Sequence, residues 1–340
     1  MGRQRKKTKE KNGMKRKSCS PSLSPVRASS AGPAGACTSA DEHTGWCGVD
    51  SDTVFMAYSV AKGCTAAAML LLVDEGKLDW SEPLDQVWPD LACQYATSKI
   101  TRNGGDSGGG SGITVAEAAS HRLGLPGTPL PLMRFYRQYC TGGWRGLWDE
   151  GIRWAEGTPA TWQPGKRARY CHLGWSFVVG GMVERKCGEH IADTVQRVAA
   201  AIGLPHCLHV GRLPPQLWHR TATLEAPPAG HNSVWSCARG QPLGLGWRVL
   251  GTIESFLFRQ AGNSDLWRNS CFPSSNGFFT AHALARLFGA LANQGVVYLN
   301  TNTNDQSNGN HDVVPMRLVR MNVMIVLVRS IDIHHSLGSA

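Results

Sequence analysis

The chain has 340 residues, of which 42% are hydrophobic and 18% charged, enough apolar sequence for one large domain or two small ones. Its formal net charge of +10 is concentrated at the start, because residues 1–17 carry nine lysines and arginines and one glutamate, a net charge of +8. The rest of the chain carries only +2, which excludes a basic nucleic-acid-binding body.

The cysteine pattern indicates the redox state of the compartment. The eleven cysteines are scattered, odd in number and never spaced as Cys-x-x-Cys. This favours free buried thiols in a reducing compartment over a disulfide framework or a metal site. No apolar stretch is long enough to span a membrane, and the basic start leads into Ser, Pro and Ala residues rather than the apolar core of a signal peptide. We therefore expect a soluble intracellular protein.

Three regions follow along the chain. Residues 1–45 are basic and then Ser/Pro/Ala-rich, with too few large apolar residues to pack, so we expect a disordered tail. The basic run fits a nuclear signal, an organelle-targeting segment, a solvated tail, or a contact to nucleic acid or acidic lipid. We expect the main domain at residues 46–298. Residues 299–340 then form a low-complexity linker and one strand-like segment.

The first strong pattern of the domain surrounds Ser59. An apolar run ends there, and residues 66–73 are apolar on all sides, which predicts a buried helix stopped at Gly76. Ser59 and Lys62 are three residues apart in its predicted first turn, so their side chains lie on one face. A lysine beside a serine can remove the hydroxyl proton and create a nucleophile. The alternative is an ordinary helix start with an exposed lysine.

A second informative segment lies further along. Residues 84–91 predict a short segment that packs back on the first helix. Thr114 and Glu117 stand at capping-box positions and predict a short helix that ends at residues 124–126. His121 follows this helix and is either a ligand or base, or a histidine that bonds a nearby carbonyl, which we favour.

The remaining segments give a coarse outline. Residues 133–162 are rich in tryptophan, which is typical of a core or the wall of a cleft. The other predicted elements are a flexible loop at 103–112, a turn at 164–165, helices at 173–183 and 191–202, a loop-rich region at 207–272 with a candidate strand at 244–250, a turn-rich segment at 272–280, a helix at 281–294, a polar segment at 300–310 and a buried strand at 319–333.

Five ordered segments resemble the serine β-lactamase-like family, which includes class C β-lactamases, D,D-peptidases and related esterases. Residues 55–78 resemble its Ser-x-x-Lys signature, and residues 113–126 resemble its Thr-Val-x-x-Leu-Leu-Ser-His-x-x-Gly-Leu-Pro segment. Pro164-Gly165 followed by Tyr170 resembles its Pro-Gly-x-x-x-x-Tyr motif, and an apolar helix with Gly-Gly-x-Val-Glu-Arg follows. Residues 274–295 resemble its late Ser-Ser-Asn-Gly segment and helix. The pattern is nearest to the domains sometimes fused to atypical UbiB-like kinases, although the sequence has no kinase motif.

This resemblance implies an α+β fold of the β-lactamase/transpeptidase type, with an antiparallel sheet flanked by an all-helical region. Sheet strands are expected to be missing at both ends. Residues 18–45 do not read as strands, and the family's final strands and long helix would have to follow residue 340.

The resemblance also implies a chemistry. Ser59 would attack the carbonyl of a small-molecule ester or amide and form an acyl-enzyme. Lys62 and Tyr170 would move protons, and the positive charge of Lys62 would let the phenol act as a base. The backbone N–H of Ser59 would be one oxyanion donor. No cofactor is implied.

Two further positions are suggested for substrate binding. His172 stands where the family often has a substrate-orienting asparagine. His335 and Gly338 form the only sequence that resembles the family's late oxyanion-strand motif. If that strand is not intact, the alternative is a non-catalytic or truncated relative that acts as a binding module.

Overall fold

A computed structural model of the chain describes residues 28–29, 46–47, 49–97, 112–126, 132–224, 260–300 and 313–317. The predicted flexible loop at 103–112 and the polar segment at 300–310 fall almost wholly outside these residues. The candidate strand at 244–250, the buried strand at 319–333 and the pair His335 and Gly338 lie entirely outside them.

The main sheet of the described residues has three short antiparallel strands. They are β3 (Phe55–Met56), β4 (Leu208–Val210) and β5 (Gly277–Phe279), in the order β3-β5-β4. Phe279 of the central strand is paired with Phe55 on one side and Leu208 on the other. The sheet places the segment before Ser59 beside the segment after residue 276.

Two antiparallel pairs lie outside this sheet. Ala28–Ser29 (β1) pairs with Trp46–Cys47 (β2), and Val296–Asn300 (β6) pairs with Val313–Arg317 (β7). The expectation that residues 18–45 contain no strand was therefore wrong at residues 28–29. Strands of two residues are too short to produce an alternating pattern of apolar and polar residues.

Nine helices have both of their ends among the described residues. They are α1 (Ala61–Asp74), α2 (Leu84–Val87), α3 (Pro89–Thr97), α4 (Val115–Ala119), α5 (Leu132–Gly157), α6 (Gly174–Cys187), α7 (Ile191–Ala201), α8 (Asp265–Asn269) and α9 (Ala281–Ala292). Within the same residues, 3₁₀ turns span Tyr58–Val60 and Pro215–Arg220.

The predicted helix after Ser59 is confirmed as α1. It buries much of its length, including Met69, Leu70 and Leu72, as expected for a segment that is apolar on all sides. Its last residue is Asp74, and Gly76 follows with a φ of 71°, the left-handed conformation that ends many helices. The capping box predicted for α4 is also present.

The long helix α5 was not predicted. Its sequence is interrupted by glycines, and at Gly143 the backbone leaves the helical region with φ 60° and ψ −153°. Of the tryptophans in this region, Trp148 is a fully buried core side chain, and Trp144 and Trp154 are partly buried and pack against the core. Trp148 packs on α6 at Gly180, where an added Cβ atom would lie 2.2 Å from the indole. Gly180 therefore permits the close helix packing that its sequence predicts.

The core joins these helices to the sheet. Helix α1 packs on α7, α7 packs on β4, and α6 packs on α4 and α5. The segment predicted at residues 84–91 forms α2 and the start of α3, and α2 packs against α4 and α6. The described cysteine side chains are free thiols, of which Cys64, Cys171 and Cys271 are buried. Among the described residues, no helix has the length and apolarity needed to cross a bilayer.

Candidate active site

A strained turn presents Ser59 at the surface. The chain leaves β3, and the backbone N–H of Ala57 donates to the carbonyl of Gly277 at 2.9 Å. Tyr58 then adopts a φ of 36°, which is unusual for a residue with a side chain. This turn places Ser59 in an exposed 3₁₀ turn directly before α1, rather than in the first turn of the helix as predicted.

Ser59 and Tyr170, which the sequence predicts to share a site, lie next to each other in the structure. Their side-chain oxygens lie 2.7 Å apart and form a hydrogen bond, although 111 residues separate them in sequence. Ser59 is exposed, and Tyr170 has a relative accessibility of 44%. The two hydroxyls are therefore joined to each other and open to solvent.

Lys62 lies beside this pair and is partly enclosed. Its Nζ atom donates to the carbonyl oxygen of Ser274 at 2.9 Å. The same atom lies 4.5 Å from the centre of the Tyr170 ring and 5.7 Å from a ring centre of Trp175. Burial lowers the pKa of Lys62, and the opposing contributions of Tyr170 and Cys171 do not reverse that shift.

A buried hydroxyl network fixes the lysine's acceptor. Ser176 of α6 accepts a hydrogen bond from the backbone N–H of Ser274 at 3.0 Å, and the two hydroxyl oxygens lie 2.6 Å apart. The Ser274 hydroxyl is also 3.0 Å from that of Ser275. Because Ser176 and Ser274 are fully buried, the carbonyl that Lys62 contacts is held in one place.

The loop that carries Tyr170 runs along residues 121–124. Near its start, Thr161 donates to the carbonyl of Gly124 through both its backbone N–H (2.8 Å) and its hydroxyl (2.9 Å). At the predicted Pro164-Gly165 turn, Gly165 donates to the carbonyl of Arg122, whose guanidinium donates back to the Gly165 carbonyl at 2.8 Å. The loop is thus attached to this segment before it reaches Tyr170.

The predicted histidines lie close to Tyr170. His172 packs edge-on against the phenol ring with a centroid distance of 4.7 Å. His121 also packs against the Tyr170 ring, with a centroid distance of 5.0 Å, and its Nδ1 accepts a hydrogen bond from the backbone N–H of Cys171. We had favoured a histidine that bonds a carbonyl; the ring instead accepts from an amide.

Sequence reasoning missed the lysine's surroundings. Ser274 contributes a backbone carbonyl, which every residue has, so no side-chain signal could mark it. Ser176 lies within an apolar helix pattern and gives no sign of its partner 98 residues away. Trp175 was assigned only to a tryptophan-rich core, yet its ring faces Lys62.

Comparison with known proteins identifies the family of this chain. A family model described as Beta-lactamase matches residues 35–315. The Mycobacterium tuberculosis protein named Esterase/beta-lactamase LipL is 27% identical over 265 residues, which cover 75% of this chain and 54% of LipL.

Solved structures share the fold. A penicillin-binding protein homologue from Caulobacter crescentus is 23% identical with a TM-score of 0.52, over 80% of this chain and 60% of that one. A family VIII carboxylesterase is 21% identical with a TM-score of 0.54, over 82% and 64% of the two chains. EstA from Arthrobacter nitroguajacolicus Rue61a is 20% identical with a TM-score of 0.52, over 81% and 62%.

The chain spans between half and two thirds of the length of each of these relatives. The expected α+β fold of the β-lactamase/transpeptidase type is confirmed by these structures and by the helices that surround the short antiparallel sheet. The family match covers most of the sequence and includes Ser59, Lys62 and Tyr170. On that evidence, the chain belongs to the β-lactamase family.

Proposed function

We propose that this protein is a serine acyl hydrolase that cleaves an ester or amide through an acyl-enzyme on Ser59. One observation carries the proposal: the Ser59 and Tyr170 oxygens form a 2.7 Å hydrogen bond, and the Lys62 ammonium group lies over the Tyr170 ring. Nucleophile, proton carrier and cation are thus in contact. That is the arrangement that nucleophilic catalysis by a hydroxyl requires.

The first half-reaction forms the acyl-enzyme. Tyr170 enters the step as the phenolate, its own proton given up to solvent, and the Ser59 oxygen attacks the carbonyl carbon of the substrate while the Ser59 proton passes along the existing hydrogen bond to the Tyr170 oxygen. The tetrahedral intermediate then collapses, the bond from carbon to the leaving oxygen or nitrogen breaks, and Tyr170 returns the proton to the leaving group. The backbone N–H of Ser59 is one donor for the negatively charged oxygen of the intermediate.

The second half-reaction restores the enzyme. A water molecule attacks the acyl carbonyl, gives its proton to Tyr170, and releases the acid as that proton returns to the Ser59 oxygen. The open position of Ser59 and Tyr170 gives water access to this step. Tyr170 acts as base and acid in turn, so it needs a neighbour that stabilises its anionic form.

Lys62 supplies that neighbour. Its amine is held by the Ser274 carbonyl at 2.9 Å and lies 4.5 Å from the centre of the phenol ring. A cation at this distance in a partly buried site lowers the energy of a phenolate. Burial lowers the pKa of Lys62, whereas its contact with Tyr170 favours the charged form of the amine.

Ester substrates are favoured over amides by the relatives. LipL is named an esterase as well as a β-lactamase, and one similar structure is a carboxylesterase. These names describe those proteins, and the site residues by themselves fit acyl transfer from either kind of substrate. A direct assay of both substrate classes is therefore part of the test.

The test is covalent labelling with a fluorophosphonate, followed by mass spectrometry of the labelled peptide. We expect wild type to be labelled on Ser59 and Ser59→Ala to lose at least about 10³-fold in labelling rate. Ser51→Ala, which changes an exposed serine of a nearby turn, is the matched control and should label as wild type does. Equal labelling of wild type and Ser59→Ala would contradict the assignment of Ser59.

The substrate assay separates the two function classes. Hydrolysis of a p-nitrophenyl ester or of a chromogenic β-lactam by wild type and not by Ser59→Ala supports the hydrolase. Folded wild type that is neither labelled nor active on either substrate overturns it and leaves the binding module, the alternative stated above.

A further inference from the structure

His121 bonds the residues on both sides of Tyr170. The backbone N–H of Arg169 donates to the His121 carbonyl at 3.1 Å, and the backbone N–H of Cys171 donates to the His121 Nδ1 atom at 3.2 Å. One residue therefore holds the chain immediately before and immediately after the phenol. Each of these bonds limits how far Tyr170 can turn or shift.

Tyr170 depends on such contacts because it lies in a loop. No helix or strand contains it, and its side chain is 44% exposed. Its phenol must nevertheless stay within hydrogen-bond distance of Ser59, which belongs to a separate part of the fold. A displacement of about 1 Å is enough to break a bond of this kind and can reduce a reaction rate about 10²-fold.

The His121 ring also supports Tyr170 from the side. Its centroid lies 5.0 Å from that of Tyr170 and 5.7 Å from that of Trp175, against which it stacks. Trp175 is itself anchored, since its indole N–H donates to the carbonyl of Ala119 at 2.7 Å. The phenol thus rests on a ring that is packed against a fixed indole.

The chemistry of the contact requires a neutral imidazole with its proton on Nε2. Because Nδ1 accepts a hydrogen bond, it carries no proton, and the proton of the neutral ring is on Nε2. Burial lowers the pKa of His121 to about 4, and the charges of Lys62 and His172 act in the same direction. At neutral pH the lone pair is therefore available to the Cys171 amide.

We propose that His121 is a positioning residue for Tyr170, holding the phenol at Ser59 through its carbonyl, its Nδ1 atom and its ring. It does not touch the reacting atoms. The inference rests on the proposed function, in which Tyr170 moves the proton of Ser59. It assigns a role to a histidine that sequence reasoning had treated as an ordinary structural residue.

Two substitutions at His121 distinguish the contribution of Nδ1 from that of Nε2. In His121→Asn the side-chain oxygen stands where Nδ1 stood, and asparagine tolerates the φ of 63° found at this position. In His121→Gln the polar atoms lie nearer the position of Nε2, so the Cys171 amide loses its acceptor. We measure the fluorophosphonate labelling of Ser59 as a function of reagent concentration, together with thermal unfolding of each variant.

The expected result is a selective loss of rate. His121→Asn should keep a maximal labelling rate within about 3-fold of wild type, whereas His121→Gln should lose about 10-fold to 30-fold with an unchanged half-saturating concentration. A merely structural role would instead lower the unfolding temperature of both variants and leave the rate of the folded protein unchanged. Equal rates in the two variants would overturn the proposal.

If wild type does not react with the fluorophosphonate, the proposed function is lost. A second measurement then still tests whether His121 positions Tyr170. The Tyr170 Cζ resonance of ¹³C-tyrosine-labelled protein, assigned with Tyr170→Phe, reports the surroundings of the phenol directly. Loss of the His121 ring shifts this resonance in both variants, so a larger shift in His121→Gln than in His121→Asn supports positioning by Nδ1. No shift in either variant, or the same shift in both, overturns it.

Discussion

The two sides of the candidate site differ in how they are held. On one side, the amine of Lys62 is partly buried, bonded to the Ser274 carbonyl and placed over two aromatic rings. On the other side, the hydroxyls of Ser59 and Tyr170 are bonded to each other and exposed. The charged group is fixed by the core, whereas the reacting groups face the solvent from which substrate arrives.

This difference assigns separate tasks to the two sides. A charge has its largest effect where protein has replaced water, so the enclosed side sets the electrostatics. In the proposed mechanism, the open side performs proton transfer and admits both substrate and water. Substitutions on the enclosed side should therefore change rate and stability together, and those on the open side should change rate alone.

The largest effect is expected from Lys62→Met, which removes the charge and keeps much of the side-chain volume. Labelling of Ser59 should fall about 10³-fold, because Tyr170 loses the cation that stabilises its anionic form. Lys166→Met, at an exposed lysine in the loop before Tyr170, is the control and should label normally. A loss smaller than about 10-fold would mean that Ser59 and Tyr170 transfer the proton without the charge of Lys62.

Tyr170→Phe tests the open side. It removes the phenol oxygen and keeps the ring that lies under Lys62. We expect labelling of Ser59 to fall about 10²-fold with no loss of stability, since the oxygen is exposed. Tyr136→Phe, at an exposed tyrosine of α5, serves as the matched control. A clear fall in the unfolding temperature of Tyr170→Phe would contradict the distinction between the two sides.

Ser176→Ala tests the support of the enclosed side. The change leaves the buried backbone N–H of Ser274 without its acceptor, so the free energy of unfolding should fall by about 1–3 kcal/mol. Ser120→Ala, at an exposed serine, should change it by less than about 0.5 kcal/mol. Urea denaturation provides the measurement, and equal effects of the two substitutions would show that the hydroxyl network adds no stability.

The smallest effect expected is a pH dependence of stability. Because burial lowers the pKa of Lys62 in the folded state, the unfolded chain binds more protons between that lowered value and the ordinary 10.5. Stability contributed by this group therefore rises with pH across that window. The free energy of unfolding of wild type should therefore rise relative to that of Lys62→Met as pH is raised from 7 to 10. Comparison of wild type with Lys166→Met is the control. A constant difference would mean that the folded protein leaves the amine solvated.

The sequence predicts the three side chains that meet at the candidate site, but it does not predict the groups that surround them. Ser59 and Lys62 are found by their spacing ahead of an apolar helix, and Tyr170 by the resemblance of its segment to the family's Pro-Gly-x-x-x-x-Tyr motif. These are local patterns, and the structure brings the three residues together. The Ser274 carbonyl leaves no trace in the sequence, because its role depends on contacts between residues far apart in the chain.

The helices and strands likewise divide into those that a local sequence pattern predicts and those that it does not. Helix α4 is readable because Thr114 and Glu117 lie three residues apart and form its cap. Strand β5 was predicted as part of a turn-rich segment, since its three residues are all buried and show no alternation. Helix α5 was missed because Gly142 and Gly143 interrupt its pattern, and at Gly143 the backbone does leave the helical region.

The attachment of the Tyr170 loop has a consequence for protein engineering. The loop is bonded to residues 121–124 at Gly165 and again at Arg169, and the side chains of residues 166–168 between these points are exposed. A change of length between two fixed points is absorbed locally and costs little conformational entropy. Insertions at residues 166–168 should therefore leave the phenol in place, which makes this stretch the part of the loop where length can be changed with least effect on Tyr170.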